Sequence, residues 1–338
     1  MCQEQKYSIL AYYIFTPLVN PYEEVTRHKQ FFERRDAASR IYISHQGING
    51  QMSAATQDAN AYMEWMLSRP EFASIKFKVH PYHENVFPRL TIKYRKNLVA
   101  YDREVDAHQG GEHVSPEQWA NMLEKEHNKV LLDVRNDYEW KIGHFEGAEL
   151  PPCETFRDFE KYAQQLKESV DPKETPVMMY CTGGIRCELY STILKEQGFD
   201  KVYQLDGGVI NYGLKHSSKH WLGKLFVFDD RMAIPINDEK TPSIGTCHQC
   251  NTPSESYYNC ANMDCNLLFI SCPQCLKELA GCCKASCSQA ERVRPYHHQN
   301  PHKPFRRWYN YFAETDPESN PKESSAPLDT QDNDKSYI

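Results

Sequence analysis

The stretch that decides the fold is Val177-Met178-Met179-Tyr180-Cys181-Thr182-Gly183-Gly184-Ile185-Arg186. Its first four residues are apolar or aromatic without interruption, which is typical of a strand buried in a parallel sheet. Beyond the loop, apolar side chains recur at helical spacing, at Cys187, Tyr190, Ile193 and Leu194. The pattern therefore predicts a strand, a tight loop and a helix in that order, which is the unit of an α/β fold.

The loop between this strand and this helix predicts an ionised cysteine. The start of a helix has unpaired N–H groups and a partial positive charge, and both favour an anion. Gly183 and Gly184 let the backbone wrap around one point, and Arg186 adds a fixed charge. We therefore expect the pKa of Cys181 to lie below that of a free cysteine. The alternative is a cysteine buried only for packing, which the agreement of strand, glycines, arginine and helix disfavours.

The length of the loop limits the size of the group that it can hold at Cys181. Six residues run from Cys181 to Arg186, with Thr182, Gly183, Gly184 and Ile185 as the loop backbone. Cysteine phosphatases need a longer ring, because a bound phosphate is larger than a sulfur atom. The loop length argues against phosphate-monoester chemistry and suits a persulfide or another small group on sulfur.

Residues 105–225 resemble the rhodanese family. Short apolar runs at 130–134 and 202–205 predict further parallel strands, and ligands in such sheets bind at the carboxyl ends of the strands. The resemblance rests on the cysteine loop together with Leu132-Asp133-Val134-Arg135, Glu139, Gly143-His144-Phe145-Glu146-Gly147-Ala148 and Leu205-Asp206-Gly207-Gly208. It implies an α/β rhodanese domain with a parallel sheet, whose cysteine carries a transferable sulfur as a persulfide.

Other residues near the loop predict supporting roles. We expect Asp133 and Arg135 to pair and hold the end of their strand. His144 can donate a hydrogen bond to the loop, although a structural hydrogen bond is the favoured interpretation. Cys187 is either a resolving thiol or, as we favour, a packing residue. Cys153 lies in the loop after the signature, and the sequence assigns it no role.

Residues 7–101 predict a separate α+β unit. Strand patterns begin at Tyr7, Arg40 and Gln51, and a fourth alternates through Ile75, Phe77 and Val79. Two helical patterns lie between them, so the order is β-α-β-β-α-β. This is the order of a ferredoxin-like or acylphosphatase-like sandwich. The segment 90–101 predicts a further strand or an extended linker.

Nine of the thirteen cysteines fall between Cys247 and Cys287. Two C-x-x-C pairs fit a four-thiolate zinc site, with Cys247, Cys250, Cys272 and Cys275 as ligands. Four of the other five can form a second, interleaved site, for which we select Cys260, Cys265, Cys282 and Cys287. A module this short has almost no apolar core, so structural zinc would supply its folding energy. Reduced cysteines or oxidised pairs are the alternatives.

Basic and aromatic side chains follow the cysteines. Guanidinium groups neutralise phosphates and rings stack on bases, which predicts an RNA surface at Arg292, Arg294, Arg306, Arg307 and Trp308. The N-terminal unit adds Arg34, Arg35, Arg40, Lys93, Arg95 and Lys96. The alternative is an ordinary solvated tail whose rings pack against the rhodanese domain.

The net charge of -7 is unevenly distributed. Residues 313–338 hold seven acidic residues and two lysines, which gives -5 and leaves -2 for the rest of the chain. A nearly neutral body can carry a basic face, and we expect the acidic tail to be disordered. Neither a membrane-spanning run nor a signal-peptide cleavage site is apparent, so the cytoplasm is the expected location.

The complete arrangement resembles the tRNA uridine hydroxylases over residues 5–312. It comprises an acylphosphatase-like domain (1–104) containing Gly47-Ile48-Asn49-Gly50, the rhodanese domain (105–225), a cysteine-rich module with its basic-aromatic segment (226–312) and the acidic tail (313–338). The resemblance implies conversion of the wobble uridine to 5-hydroxyuridine, molecular oxygen as co-substrate and a required loop cysteine. It also implies the anticodon region of tRNA as partner, rather than DNA or a membrane.

The residues themselves do not dictate that reaction. A thiolate within a ring of amides explains sulfur transfer directly, so a persulfide sulfurtransferase is the alternative function. No flavin or nicotinamide fingerprint stands in the sequence, and no pair of histidines with a carboxylate has iron-ligand spacing. One hypothesis is that Cys181 adds covalently to the uracil ring. A non-enzymatic RNA- or protein-binding adaptor is disfavoured, because Cys181 and Arg186 are both intact.

Overall fold

The N-terminal domain is a five-stranded sheet with two helices. The computed structural model describes residues 6–99, 109–126, 128–152, 158–236 and 241–296. The first elements are β1 (Tyr7–Phe15), α1 (Pro21–Phe31), β2 (Ala37–Ser44), β3 (Gly47–Ala55), α2 (Thr56–Leu67), a short 3₁₀ turn (Pro70–Phe72), β4 (Lys78–Tyr82) and β5 (Leu90–Tyr94). The strand order β4-β1-β3-β2-β5 confirms the predicted sandwich and adds β5, which pairs parallel with β2.

The fourth strand begins later than the alternation predicts. Ile75 and Phe77 lie before β4, and both pack into the core of the domain. Their apolar character therefore reflects burial in the connecting segment rather than the pleat of a strand. Lys78 is consequently the first residue of β4, next to β1 in the sheet.

The sheet buries one face under its helices and turns the other towards the next domain. Alternate residues such as Ile41 and Ile43 are fully buried in a core that includes Tyr62 and Met66 of α2. Because side chains alternate along a strand, their neighbours lie on the opposite face. On that face Phe15 packs against the core of the second domain. The open face of the sandwich is therefore an interdomain surface.

The second domain contains a parallel sheet flanked by helices. The elements of this domain are β6 (Glu112–Val114), α3 (Pro116–Lys125), β7 (Val130–Asp133), α4 (Asp137–Trp140), β8 (Gly143–Phe145), α5 (Phe159–Ser169), β9 (Val177–Tyr180), α6 (Ile185–Glu196), β10 (Val202–Leu205) and α7 (Gly208–His216). Four of the strands form the parallel sheet in the order β6-β10-β9-β7. The predicted strand at 177–180 is β9, and it is buried along its whole length. This parallel sheet confirms the predicted α/β class.

The C-terminal part consists of short elements. They are β11 (Trp221–Gly223), β12 (Leu225–Phe226), β13 (Ala233–Ile234), β14 (Tyr257–Asn259), β15 (Leu268–Ile270), α8 (Pro273–Glu278) and α9 (Ala285–Ser288). Cysteine side chains make up much of the buried cluster of this region, together with Tyr258, Phe269 and Leu276. Residues 297–338, which include the predicted acidic tail, lie outside the described residues. Within the described ranges, no helix has the length and apolar character needed to cross a membrane.

Candidate active site

Cys181 stands directly after β9 and directly before the start of α6. Its side chain is fully buried, and its sulfur accepts a hydrogen bond from the backbone N–H of Gly184 at 3.1 Å. Gly184 has a positive φ of 104°, a conformation that an L side chain rarely adopts. The glycine therefore permits the turn that aims this amide at the sulfur.

The surroundings of Cys181 keep its thiol ionised. Burial by itself raises the pKa, but the Cys187 thiol, the Arg186 guanidinium and the N–H groups of Arg186 and Gly184 together lower it to about 5. Cys187 has the opposite character: burial and its hydrogen bond to Cys181 raise its pKa well above the ordinary value. At neutral pH the pair is thus one thiolate with one neutral thiol donating to it.

Arg186 is held by a buried carboxylate. Its guanidinium makes two hydrogen bonds with Glu139 of α4, one of them 2.8 Å long from Nη2 to Oε2. Thr182 donates to the same carboxylate at 2.9 Å. Glu139 stays ionised because the pull of Arg186 outweighs the effect of its burial and lowers its pKa. The network fixes both ends of the loop, and it explains why Glu139 belongs to the sequence signature.

The helix that follows the last strand of this sheet supports the loop from the other side. The N–H groups of Val209 and Ile210 donate to the carbonyls of Cys181 and Thr182 at 3.0 and 3.1 Å. A Cβ on Gly208 would lie 2.6 Å from the carbonyl oxygen of Cys181. Only glycine allows this approach at position 208, and the positive φ of 75° at Gly207 also favours glycine there.

A cavity of about 180 Å³ lies between the loop and the N-terminal sheet. Its floor is formed by the loop residues Cys181, Thr182, Gly183, Ile185 and Arg186. The open face of the sheet covers it, with Tyr13, Arg40, Tyr42, Asn49, Gln51 and Lys78 in the lining. Cys181 therefore lines a cavity that is formed by residues of both domains.

Several residues of this covering surface carry no motif in the sequence. The hydroxyl of Tyr13 donates to Oε1 of Glu188 at 2.8 Å, and Nε2 of His113 lies 3.0 Å from the same oxygen. Lys78 donates from Nζ to the carbonyl of Gly183 at 2.6 Å. Their convergence depends on how the two domains pack, and only the alternation of buried and exposed side chains in β1 and β2 could have indicated a functional face.

The remaining predictions near the loop concern Asp133, Arg135, His144 and Cys153. Arg135 forms a fully buried pair with Asp133, with 2.6 Å between Nη2 and Oδ2, and also donates to the carbonyl of Gly143. His144 donates from Nδ1 to the carbonyl of Trp140 at 2.9 Å, which is the structural bond favoured above rather than a contact with the loop. Cys153 lies outside the described residues.

The C-terminal cysteines converge in two groups of four. The first group is the predicted set of Cys247, Cys250, Cys272 and Cys275. The second group contains Cys260, Cys265, Cys283 and Cys287. The predicted ligand Cys282 is therefore replaced by Cys283. Neighbouring residues point in different directions, and it is the sulfur of Cys283 that lies 3.7 Å from that of Cys265 and 3.9 Å from that of Cys287.

Both groups fit a tetrahedral thiolate metal site. Four sulfurs about 2.3 Å from a central zinc ion lie roughly 3.8 Å from one another. The sulfurs of Cys250 and Cys272 are 3.7 Å apart, and the distances in the second group are similar. Within each group, all four sulfur atoms lie within 4.8 Å of one another. The donor set and the spacing therefore both suit a metal ion with four thiolate ligands.

The predicted RNA surface is only partly described. Arg292 is exposed and pairs with Asp264 at 2.8 Å. Arg294 is 5% exposed and donates to the backbone carbonyls of Cys260 and Ala261, so its assignment to an exposed surface is wrong. Its guanidinium is used to hold the second cysteine group. Arg306, Arg307 and Trp308 lie outside the described residues.

Three family descriptions match successive parts of the chain. The UPF0176 acylphosphatase like domain matches residues 7–98, and the Rhodanese-like domain matches residues 115–214. The description Rhodanase C-terminal matches residues 222–288, which contain all eight cysteines of the two groups. The matches follow the order of domains in the fold.

Curated proteins resemble the chain over nearly its whole length. A protein of Protochlamydia amoebophila named tRNA uridine(34) hydroxylase is 59% identical over 93% of this chain and 98% of its own. A protein of Chlamydia trachomatis with the same name is 58% identical over 90% of this chain and 93% of its own.

Proposed function

Because this chain belongs to the tRNA uridine(34) hydroxylase family, we propose that it hydroxylates the wobble uridine of tRNA at carbon 5. Molecular oxygen is the co-substrate: one of its atoms enters carbon 5 and the other leaves as water, with two electrons from an external reductant such as a thiol. One observation carries the proposal: the ionised Cys181 lines a cavity that the N-terminal domain closes over the rhodanese loop. Enzymes that modify a base take it out of the stack into such an enclosed pocket.

Cys181 is the nucleophile in this proposal. Attack of its thiolate on carbon 6 of the uracil ring forms a C–S bond. The electron pair of the C5=C6 double bond then moves towards carbon 5 and the carbonyl oxygen O4. Carbon 5, the atom that receives the hydroxyl group, becomes electron-rich. A thiol with a pKa of about 5 is almost fully ionised at neutral pH and supplies this nucleophile without a separate base.

The remaining lining suits an extruded nucleotide. Tyr13 and Tyr42 offer rings against which a base can stack, and Arg40 adds a positive charge at the same cavity. The guanidinium of Arg40 is oriented by a hydrogen bond of 2.8 Å to the carbonyl of Phe228. The wobble base lies in a single-stranded loop, where extrusion costs little because the base is unpaired. We propose Arg292, together with Arg306, Arg307 and Trp308, as further tRNA contacts.

Analysis of tRNA nucleosides tests the proposal. Purified full-length protein is incubated in air with a thiol reductant and tRNA from a strain that lacks the corresponding gene, and the digested nucleosides are measured by mass spectrometry. The expected product is 5-hydroxyuridine at position 34, formed by the wild type and absent with Cys181→Ser. Equal yields from the two proteins would show that the reaction does not require Cys181.

A persulfide sulfurtransferase is the second candidate. The observation that favours it is the amide-lined loop itself, which stabilises a sulfur anion irrespective of the acceptor. Transfer of sulfur from thiosulfate to cyanide, and thiolated bases in the same tRNA, are its distinguishing signals. If a thiolated base rather than a hydroxylated one depends on Cys181, the sulfurtransferase replaces the hydroxylase.

We propose structural zinc for both cysteine groups. When bound, zinc crosslinks β-hairpin and helix segments that have few apolar contacts of their own. Its role here is to hold the C-terminal module in place, because four cysteines satisfy each ion and leave no open position for chemistry. A reactive thiolate and eight metal-binding thiols also need a reducing compartment, which supports the cytoplasm as location.

A further inference from the structure

The side chain of Lys78 joins the two domains at the cysteine loop. Lys78 is the first residue of β4 in the N-terminal sheet, yet its ammonium donates to the carbonyl of Gly183, two residues after Cys181. The same ammonium lies 5.2 Å from the centre of the Tyr13 ring. An ammonium has three N–H donors, and the bond to Gly183 uses one of them. The N-terminal domain therefore presents a positive charge to the cavity from the side opposite the helix start.

The other two cations in the cavity lining are already engaged. Arg186 is bound through both arms of its guanidinium to Glu139. Arg40 is directed to a backbone carbonyl. Unlike Arg186, Lys78 forms no salt bridge with any of the described residues, and unlike Arg40 it donates to the cysteine loop. Its ammonium can therefore turn from Gly183 to a substrate oxygen without breaking an ion pair.

We propose that Lys78 stabilises the charge that develops on a carbonyl oxygen of the uracil ring when the Cys181 thiolate adds to it. This inference rests on the proposed function and names a second catalytic residue for it. The rhodanese domain then supplies the nucleophile, and the N-terminal domain supplies the acid. Neither domain holds the complete site alone.

The step conserves electrons and protons without an external oxidant or reductant. A lone pair of Sγ forms the C6–S bond, and the C5=C6 pair moves to give an enolate on O4. The ammonium of Lys78 donates a hydrogen bond or its proton to that oxygen. Carbon 5 can then take a proton from solvent, lose its original hydrogen as a proton, and return the ring by expelling the thiolate. The net result is exchange of the hydrogen at carbon 5 with water.

The charged groups around Lys78 set the pH range in which it can act. Burial lowers the pKa of its ammonium, the Cys181 thiolate, Asp206 and Glu188 raise it, and Lys76 lowers it further, which leaves a value of about 8. The hydroxyl of Tyr13 stays protonated, since burial and Glu188 raise its pKa. Cys181 is ionised above about pH 5 and Lys78 is charged below about pH 8, so both are in their working forms between these values.

Exchange at carbon 5 under anaerobic conditions tests the inference. The substrate is a tRNA transcript made with [5-³H]uridine, and an identical transcript with cytidine at position 34 gives the background. Tritium released to water is measured against pH for full-length wild type, Lys78→Met and Lys78→Arg. Lys76→Met is the matched control. It removes the same charge from a residue two positions away, whose side chain is 79% exposed. Thermal unfolding and tRNA binding are measured for each variant.

We expect Lys78→Met to lose about 100-fold in exchange rate, the size of effect seen when one donor to a developing oxyanion is removed. Lys76→Met should keep the wild-type rate between about pH 5 and 8, and its rate should fall at a slightly higher pH than that of the wild type, because Lys76 no longer lowers the pKa of Lys78. Lys78→Arg should retain exchange above pH 8, because a guanidinium stays charged there. Should Lys78→Met fail to fold, the exchange rate of Lys78→Arg above pH 8 is sufficient to test the role of Lys78.

Two results with the variants would overturn the role of Lys78: a wild-type exchange rate of Lys78→Met, or an exchange rate of Lys78→Arg that falls above pH 8 as the wild-type rate does. Hydroxylation in air by a wild type that shows no exchange would refute the adduct, and Lys78 with it, while leaving the proposed function intact. Tritium exchange by the wild type that is lost in Lys78→Met would support the role of Lys78 even if no 5-hydroxyuridine formed in air with the reductant, a result that would contradict the function alone.

Discussion

Two regions of this molecule use the same side chain for opposite purposes. At the rhodanese loop, Cys181 is surrounded by amides, a thiol and the guanidinium of Arg186, and its thiol ionises easily. In the C-terminal module, each cysteine of a group of four faces three other sulfurs. The described cysteines in both regions are free thiols, and most of them are buried. The chemistry of each cysteine therefore depends on its neighbours and not on its exposure.

The contrast is electrostatic. One thiolate among donors and a cation is stable as an isolated anion, so it is available as a nucleophile. Four thiolates in contact repel one another and are stable together only when a cation neutralises them. The cysteines of the C-terminal groups also differ from one another. The surroundings of Cys247 lower its pKa to about 6, whereas the surroundings of Cys260 raise its pKa to about 11. Burial opposes ionisation at both positions, and the backbone hydrogen bonds outweigh it only at Cys247.

The largest expected effect is on activity at Cys181. Cys181→Ser should lower the rate of tRNA hydroxylation by more than about 10³-fold, because a serine hydroxyl is not ionised at neutral pH. Its metal content should equal that of the wild type, since Cys181 belongs to neither group of four cysteines. Activity is measured by nucleoside mass spectrometry, and metal by elemental analysis. A loss of metal in this variant would contradict the conclusion that Cys181 and the two groups of four cysteines act independently.

Cys247→Ser should have the converse effect. Removing one of four ligands weakens zinc binding, which supplies on the order of 10 kcal/mol to small zinc modules. We expect about one zinc ion fewer per chain than in the wild type and a separate, low-temperature unfolding transition of the C-terminal module. Zinc content is determined after dialysis against a chelator, and unfolding is followed by calorimetry. Retention of the full metal content would contradict the four-thiolate assignment.

Arg186→Met should reveal the cost of an unpaired charge beside the loop. Glu139 is fully buried, and removing its partner destabilises the fold by about 3 to 5 kcal/mol. The pKa of Cys181 should rise, because Arg186 no longer favours the thiolate. Chemical denaturation and the pH dependence of alkylation by iodoacetamide measure the two effects.

The double variant Arg186→Met with Glu139→Gln is the control for this pair. It removes both charges together, so it should recover much of the stability. It should not recover the low pKa of Cys181, since the cation is still missing. Equal stability of the single and double variants would show that the buried pair is not the source of the loss.

Local patterns in the sequence predicted the loop and both domain folds. The uninterrupted apolar run at 177–180, the two glycines and the helical spacing that follows occur where the structure has β9, the loop and α6. The resemblance to the tRNA uridine hydroxylases is confirmed by relatives that are 58–59% identical. These features depend on neighbours in the chain, where propensity and periodicity are informative.

Features that depend on distant packing were not predictable. Lys78 and Gly183 are 105 positions apart and meet at the same cavity only because two domains pack face to face. The choice of Cys283 over Cys282 depends on the direction of each side chain, which spacing does not reveal. Arg294 has the residue type of an RNA contact, but its place in the fold makes it a structural donor. Such assignments need the tertiary structure, because the sequence pattern is the same for either outcome.

The smallest expected effect is at Cys187, whose thiol donates to the Cys181 thiolate. Hydrogen bonds to charged groups contribute about 1.5 to 3 kcal/mol, and one pKa unit corresponds to about 1.4 kcal/mol. Cys187→Ala should therefore raise the pKa of Cys181 by roughly one to two units. Cys187→Ser keeps a donor at the same position and should leave the pKa close to that of the wild type. Alkylation rates against pH distinguish the two variants, and identical curves would mean that main-chain donors and Arg186 alone hold the charge.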